Sequence, residues 1–147
     1  MKKEIRWKQR FKNYDKALKK LQSFAEYTKN NDEDVFEVAL IGAFEFTFEL
    51  AWKTLKDYLK FGGINVSIPR EVIKQSFHHK LIEDGEIWIS MLEDRNILSH
   101  VYDNIKAKDA VKSIETKYIA VFVQLYEFLY SKLDEDDVPC LDSQNTH

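Results

Sequence analysis

The sequence predicts an all-α fold, an antiparallel up-and-down four-helix bundle with one extra short helix. Three observations predict it. The 147 residues include only 4 Gly and 2 Pro, too few for the closely spaced turns of an all-β fold. Apolar residues recur three and four apart along nearly the whole chain, the spacing of a helical face. The polar breaks between these stretches are short, which places consecutive helices antiparallel to one another.

The first helix is marked by Trp7, Phe11, Tyr14, Leu18, Leu21 and Ala25, one stripe on one face. Asn30-Asn31-Asp32 interrupts it, and Asp32 or Asp34 is suited to cap the next helix. That second helix is expected from about Glu33 to Lys60. It carries two apolar stripes. Phe36, Leu40, Ala43, Phe44, Phe48, Ala51, Leu55 and Leu59 form one, and Val35, Ala39, Gly42, Phe46 and Leu50 form the other. A helix apolar on two sides must bury both, so one side faces its own bundle and the other invites a partner subunit. Phe61-Gly62-Gly63 ends it with a glycine for a left-handed cap.

Ser67-Ile68-Pro69 starts a short third helix, with proline in the first turn, ending around His79 or Leu81. After Asp84-Gly85 a fourth helix runs from about Glu86 to Ser99 or beyond, with Trp88, Met91, Leu92 and Leu98 inward. Asp109 is read as the start of the last helix, whose core face is Val111, Ile114, Tyr118, Val121, Phe122, Leu125 and Leu129. The helical body is therefore residues 1–132, followed by an acidic, disordered tail at 133–147.

Charge and composition narrow the function. The formal net charge is −3, but the tail from Leu133 holds five Asp/Glu and no Lys or Arg. Without it, 22 basic residues face 20 acidic ones, and nine of the basic residues lie in positions 1–20. The basic first helix reads as a solvated face or, more sharply, as a nucleic-acid surface. No apolar run approaches the roughly 18 residues of a membrane span, and no apolar signal core follows Met1-Lys2-Lys3-Glu4, so a cytoplasmic location is expected. The single cysteine, Cys140, excludes an internal disulfide framework and a cysteine-cluster zinc site. His78 and His79 are adjacent, point about 100° apart on a helix, and are read as solvent-facing. With no His-x3-His or Glu-x2-His pair, the sequence offers no metal site; Gly62-Gly63 lacks the following Lys of a phosphate loop. No cofactor is implied.

One segment carries chemistry. From Glu93 to Asp103 the chain gathers Arg95, Asn96, Ser99, His100 and Tyr102, side chains suited to phosphoryl and RNA chemistry. A plain helix end, with a cation favourably placed at the negative pole, is the alternative. Arg95 and His100 are five residues apart, about 140° around an ideal helix. To converge they need the helix to loosen near His100, the long arginine to reach round, or a second copy of the helix. Glu45 and Glu49 stand four apart in the apolar second helix; a surface pair of Glu49 with Lys53 is expected, with contact to Arg95 the alternative.

Arg95-x4-His100-x-Tyr102 resembles the signature of HEPN domains of the HepT toxin type, and more closely the subfamily of nucleotidyltransferase substrate-binding proteins. The stretches Phe44–Leu59 and Leu81–Trp88 are similar to the same subfamily, and the likeness covers roughly residues 5–130. The resemblance implies a HEPN-like bundle that forms a homodimer and a partner, a minimal nucleotidyltransferase of the MntA type. It implies a metal-independent ribonuclease, silenced when the partner adds AMP units to Tyr102. It also allows an older reading, a non-catalytic subunit that binds substrate or nucleotide for the partner enzyme. The residues fit the first of these. His100, with an ordinary pKa near 6.5, suits base or acid work, and a dimer supplies two. Arg95 offers a permanent bidentate charge to a phosphate. Asn96 is placed to hold His100 or a phosphate oxygen, and Ser99 adds a hydroxyl for binding. RNA as a ligand would be single-stranded or looped.

Overall fold

The computed structural model describes residues 3–31, 33–98, 104–135, 139 and 141. Its helices are α1 (Lys3–Asn30), α2 (Asp34–Phe61), the short α3 (Pro69–His78), α4 (Gly85–Leu98), α5 (Asn104–Ser113) and α6 (Ile119–Ser131). A π-helical turn, Ile114–Tyr118, joins α5 to α6 with helical backbone on both sides, so the three run as one rod. The bundle is thus four long helices plus α3, and no strand occurs among the described residues. None of these helices is long and apolar enough to cross a membrane.

The helical stripes bury as their spacing requires. All six residues of the α1 stripe, Trp7 to Ala25, are buried. On α2, Leu40, Phe44, Phe48, Ala51, Leu55 and Leu59 are fully buried, which makes α2 the central helix of the core. Phe44 packs on Phe122 with centroids 6.2 Å apart, and Trp88 bridges Phe48 (6.2 Å) and Phe122 (5.8 Å). Such offset aromatic contacts add to the burial of apolar area itself. Two polar groups tie helices at depth. The Tyr14 hydroxyl donates to the Phe122 carbonyl at 2.5 Å, joining α1 to α6. Its burial pushes the Tyr14 phenol well up from the ordinary range. The Arg10 Nε donates to Asp57 at 2.7 Å, joining α1 to α2 around a carboxylate that is 3% exposed.

The helix ends follow local chemistry. Gly63 takes φ +96° while Gly62 does not, and the Ile64 amide closes back on the Leu59 carbonyl at 2.9 Å. Asp34 does not cap α2; Glu33 holds the cap position and Asp34 lies in the first turn with Glu37, where acidic groups suit the helix dipole. The other candidate cap, Asp32, lies outside the described residues. Asp84 caps the start of α4, its Oδ1 accepting from the Ile87 amide at 3.2 Å. Lys80 closes α3 at φ 65°, a left-handed position usually left to glycine.

The last helix begins at Asn104, five residues before the expected Asp109. Lys106, Ala107 and Lys108 propagate a helix well, and Lys108 reaches across to Glu37 of α2 at 3.2 Å. An ion pair between helices leaves no mark in the apolar periodicity, so spacing does not reveal this turn.

The second stripe of α2 faces solvent. Val35, Val38 and Phe46 are 63%, 68% and 61% exposed, and Ala39 and Gly42 are exposed between them. Leu50 is half-buried.

Candidate functional site

Arg95 and Asn96 occupy the last turn of α4. Arg95 continues the inward stripe of Trp88, Met91 and Leu92, seven residues beyond Trp88 and so on nearly the same face. That stripe aims it at α2. There its Nε donates to Glu49 Oε2 at 2.5 Å, and its Nη2 contacts the same oxygen. The guanidinium lies over the Phe48 ring, 5.9 Å from the centroid. Its Nη1 donates to Asn96 Oδ1 at 2.8 Å. Arg95 and Glu49 side chains keep 26% and 32% of their exposure, so the pair sits at the rim of the bundle. Among the described residues, these contacts engage three of the five N–H donors of the guanidinium.

The expected surface pair of Glu49 with Lys53 does not form. Glu49 instead accepts from Arg95 and, at 3.1 Å, from Trp52 Nε1. Lys53 lies over the Trp52 ring, 6.0 Å from its centroid. The long arginine on a buried stripe outcompetes the neighbouring lysine because it is already fixed in place and brings two of its nitrogens onto one carboxylate oxygen. Glu45, one turn earlier on α2, also feels this site. Partial burial raises its pKa, the Arg95 charge lowers it, and the Glu49 charge raises it, with a net rise.

The other side of the same turn is fixed to the last helix. Asp94 Oδ2 accepts a 2.5 Å hydrogen bond from the Tyr118 hydroxyl at the end of the π-helical turn. Burial and this carboxylate raise the Tyr118 pKa far above the ordinary phenol range. A cleft of about 210 Å³ lined by Asp94, Ile97, Leu98, Lys106 and Asp109 opens beside it. The end of α4 is therefore clamped between α2, through Arg95, and the π turn, through Asp94. Phe48, Glu49, Asp94 and Tyr118 are site-building residues that the signature does not contain. The Glu45/Glu49 pair within an apolar helix is the one sequence signal for any of them.

Ser99, His100 and Tyr102 lie outside the described residues. Among the described residues no cluster of His, Cys, Asp or Glu is placed to hold a metal ion. His78 is exposed as expected, whereas His79 is half-buried at the end of α3.

Residues 9–131 match the family described as nucleotidyltransferase substrate binding protein like. The chain belongs to this family. A curated relative, the probable ribonuclease HepT of Haemophilus influenzae (strain Rd), is 29% identical over 102 residues, which cover 66% of this chain and 62% of the relative. The chain thus spans less than two thirds of that relative's length. A crystal structure of a protein from Thermus thermophilus is similar with a TM-score of 0.68 and 27% identity, over 82% of this chain and 98% of the other. The Arg-x4-His-x-Tyr segment lies within the residues matched to the family. The clamp on Arg95 is what this chain builds around the first residue of that segment.

Proposed function

We propose that this family member is a metal-independent endoribonuclease that acts as a homodimer and is the toxin of a toxin–antitoxin pair. In this reading a minimal nucleotidyltransferase silences it by adding AMP to Tyr102. The observation that carries the reading is the clamped Arg95, a partly exposed guanidinium fixed at the head of the signature. It is set to receive a phosphate. His100, on one protomer or its partner, takes the proton of the ribose 2′-OH. The 2′ oxygen attacks phosphorus, and the 5′ oxygen leaves with a proton from the second His100. The products are a 2′,3′-cyclic phosphate and a 5′-hydroxyl. Arg95 offsets the charge that builds on the phosphoryl oxygens, and Asn96, bound to Arg95, keeps the guanidinium oriented. A nucleotide on Tyr102 adds a bulky anion beside that charge and repels the substrate. The exposed apolar face of α2 ends one turn before Glu49, and in this reading it is the seam of the homodimer. Ser99 contributes a hydroxyl to substrate binding, and the cytoplasm, where RNA is available, is the site of action.

The test is cleavage of single-stranded RNA in EDTA by the purified chain, with His100→Ala and Arg95→Ala alongside. Loss of cleavage in both supports the reading, and retained cleavage in His100→Ala rejects it. One observation favours a second reading, a non-catalytic subunit that binds substrate for a nucleotidyltransferase. Arg95 is already matched by Glu49, with Glu45 nearby, so a phosphate must compete with carboxylates for it. That reading expects tight co-purification with the partner and no cleavage.

A further inference from the structure

The outer face of α2 changes character at Glu49. Before it the face is apolar apart from Glu45; after it come Lys53, Lys56 and Lys60. At four, seven and eleven residues from Glu49, these lysines lie within about 40° of it around the helix and extend about 16 Å along it. Lys53 and Lys56 lie over Trp52, at 6.0 and 5.8 Å from the ring centroid, and Trp52 itself hydrogen-bonds Glu49. The stripe is thus built onto the same residue that anchors Arg95. It ends in a pocket of about 240 Å³ lined by Arg6 of α1, Lys56, Lys60, Asn65 and Ser67. Asp57 also lines this pocket, but its charge is matched by Arg10 at 2.7 Å. Among the described residues, Arg6, Lys53, Lys56 and Lys60 make no ion pair with a carboxylate. An aromatic face under two ammonium groups leaves their charge uncompensated.

We propose that Lys53, Lys56, Lys60 and the Arg6 pocket form a phosphate track for single-stranded RNA. The track leads a few nucleotides away from Arg95 along the outer face of α2. It deepens the ribonuclease reading by assigning the path of the substrate backbone. A row of mobile cations with amide and hydroxyl donors at its end suits a flexible polyanion and reads no base. The track lies on the half of the face that the apolar stripe leaves open, so a second copy on Val35, Val38 and Phe46 would not cover it.

The experiment uses the full chain and a fluorescein-labelled single-stranded RNA of about 12 nucleotides, with affinity read by anisotropy across a salt series from roughly 0.05 to 0.3 M. His100→Ala serves as the parent, so that cleavage does not consume the probe. Replacing Arg6, Lys53, Lys56 and Lys60 with Gln should weaken binding at least about tenfold near physiological salt. It should flatten the slope of log K against log salt by about 3, since each phosphate contact on a single strand contributes roughly 0.7. A control that replaces the exposed Lys29, Lys74, Lys112 and Lys117 with Gln removes the same charge elsewhere and should stay within about twofold of the parent. A Lys→Arg version of the stripe, with Arg6→Lys, should retain binding and shows that the fold tolerates change there. Equal weakening by the control, or unchanged affinity and slope in the stripe variant, overturns the proposal. So does a stripe variant that keeps RNA but loses an acidic protein partner. Cleavage enters none of these readouts. A parent that binds through the stripe, while the unmutated chain cleaves nothing, rejects the ribonuclease reading and leaves the track.

Discussion

The Arg95–Glu49 pair sets the position of the signature segment, and a double-mutant cycle measures how firmly. Both side chains are largely but not fully withdrawn from water, at 26% and 32% exposed. A hydrogen bond between charged groups contributes roughly 1.5–3 kcal/mol when well buried. Partial solvation lowers this to about 1–2 kcal/mol here. Unfolding entropy of roughly 2.1 cal/mol/K per residue over the 147 residues is about 0.3 kcal/mol/K. Arg95→Ala should therefore lower Tm by about 3–6 °C near pH 7. Glu49→Ala should cost a little more, because Trp52 Nε1 loses its acceptor as well. The double variant should lose less than the two singles together, with a coupling of about 1 kcal/mol. Urea titrations at fixed protomer concentration give these values. The pH arm follows from the carboxylates. Arg95 is what lowers the Glu45 pKa against burial and Glu49, so Arg95→Ala should be more costly at pH 7, where Glu45 is ionised, than at acidic pH, where Glu45 holds its proton. A coupling below about 0.3 kcal/mol with no pH dependence would refute the clamp.

Three further outcomes follow from named contacts. Arg10→Ala strands the Asp57 carboxylate in the interior and should cost roughly 2–4 kcal/mol in urea unfolding, while Arg10→Ala with Asp57→Ala should recover part of it. Glu45 holds its proton to higher pH when folded than when unfolded, so stability falls as pH rises from the ordinary carboxylate range through the raised value; Glu45→Gln should remove that fall and be the more stable chain at pH 7 but not at pH 4. Phe46→Glu puts a charge on a residue 61% exposed in the protomer, so the protomer should melt within about 0.5 kcal/mol of the original while light scattering shows a single chain's mass; an unchanged mass rules that face out as the dimer interface.

Much of the fold is legible because helical burial repeats at short range. Trp7 to Ala25, Phe44 to Leu59 and Val111 to Leu129 each announce a buried face from spacing alone, and Pro69 and Gly63 stand where short-range backbone geometry needs them. What stays hidden is the register between helices. Glu49 has Lys53 one turn away in sequence and Arg95 far away, and only the packing of α4 on α2 decides between them. The bond from Tyr118 to Asp94 has no local signal at all, since a tyrosine on a core stripe already accounts for itself by apolar burial. The opening turn of α5 is hidden for a related reason: Lys108 is fixed by Glu37, and an ion pair between helices leaves no period. The position of Arg95 was within reach, as it extends the stripe of Trp88, Met91 and Leu92 into polar sequence.

The Tyr14–Phe122 hydrogen bond joins groups 108 residues apart and closes α1 onto α6. Translation proceeds at about 5–20 residues per second, so the ribosome needs roughly 5–20 seconds after making Tyr14 to supply its acceptor. For the last part of that interval, roughly 3–12 seconds after Phe61 completes α2, the α1–α2 hairpin is made while Phe44 still lacks Phe122 and Tyr118 as neighbours. A nascent chain of this protein therefore presents an uncovered aromatic surface until Phe122 has been made, and that surface is where a chaperone or a neighbouring nascent copy would meet it first.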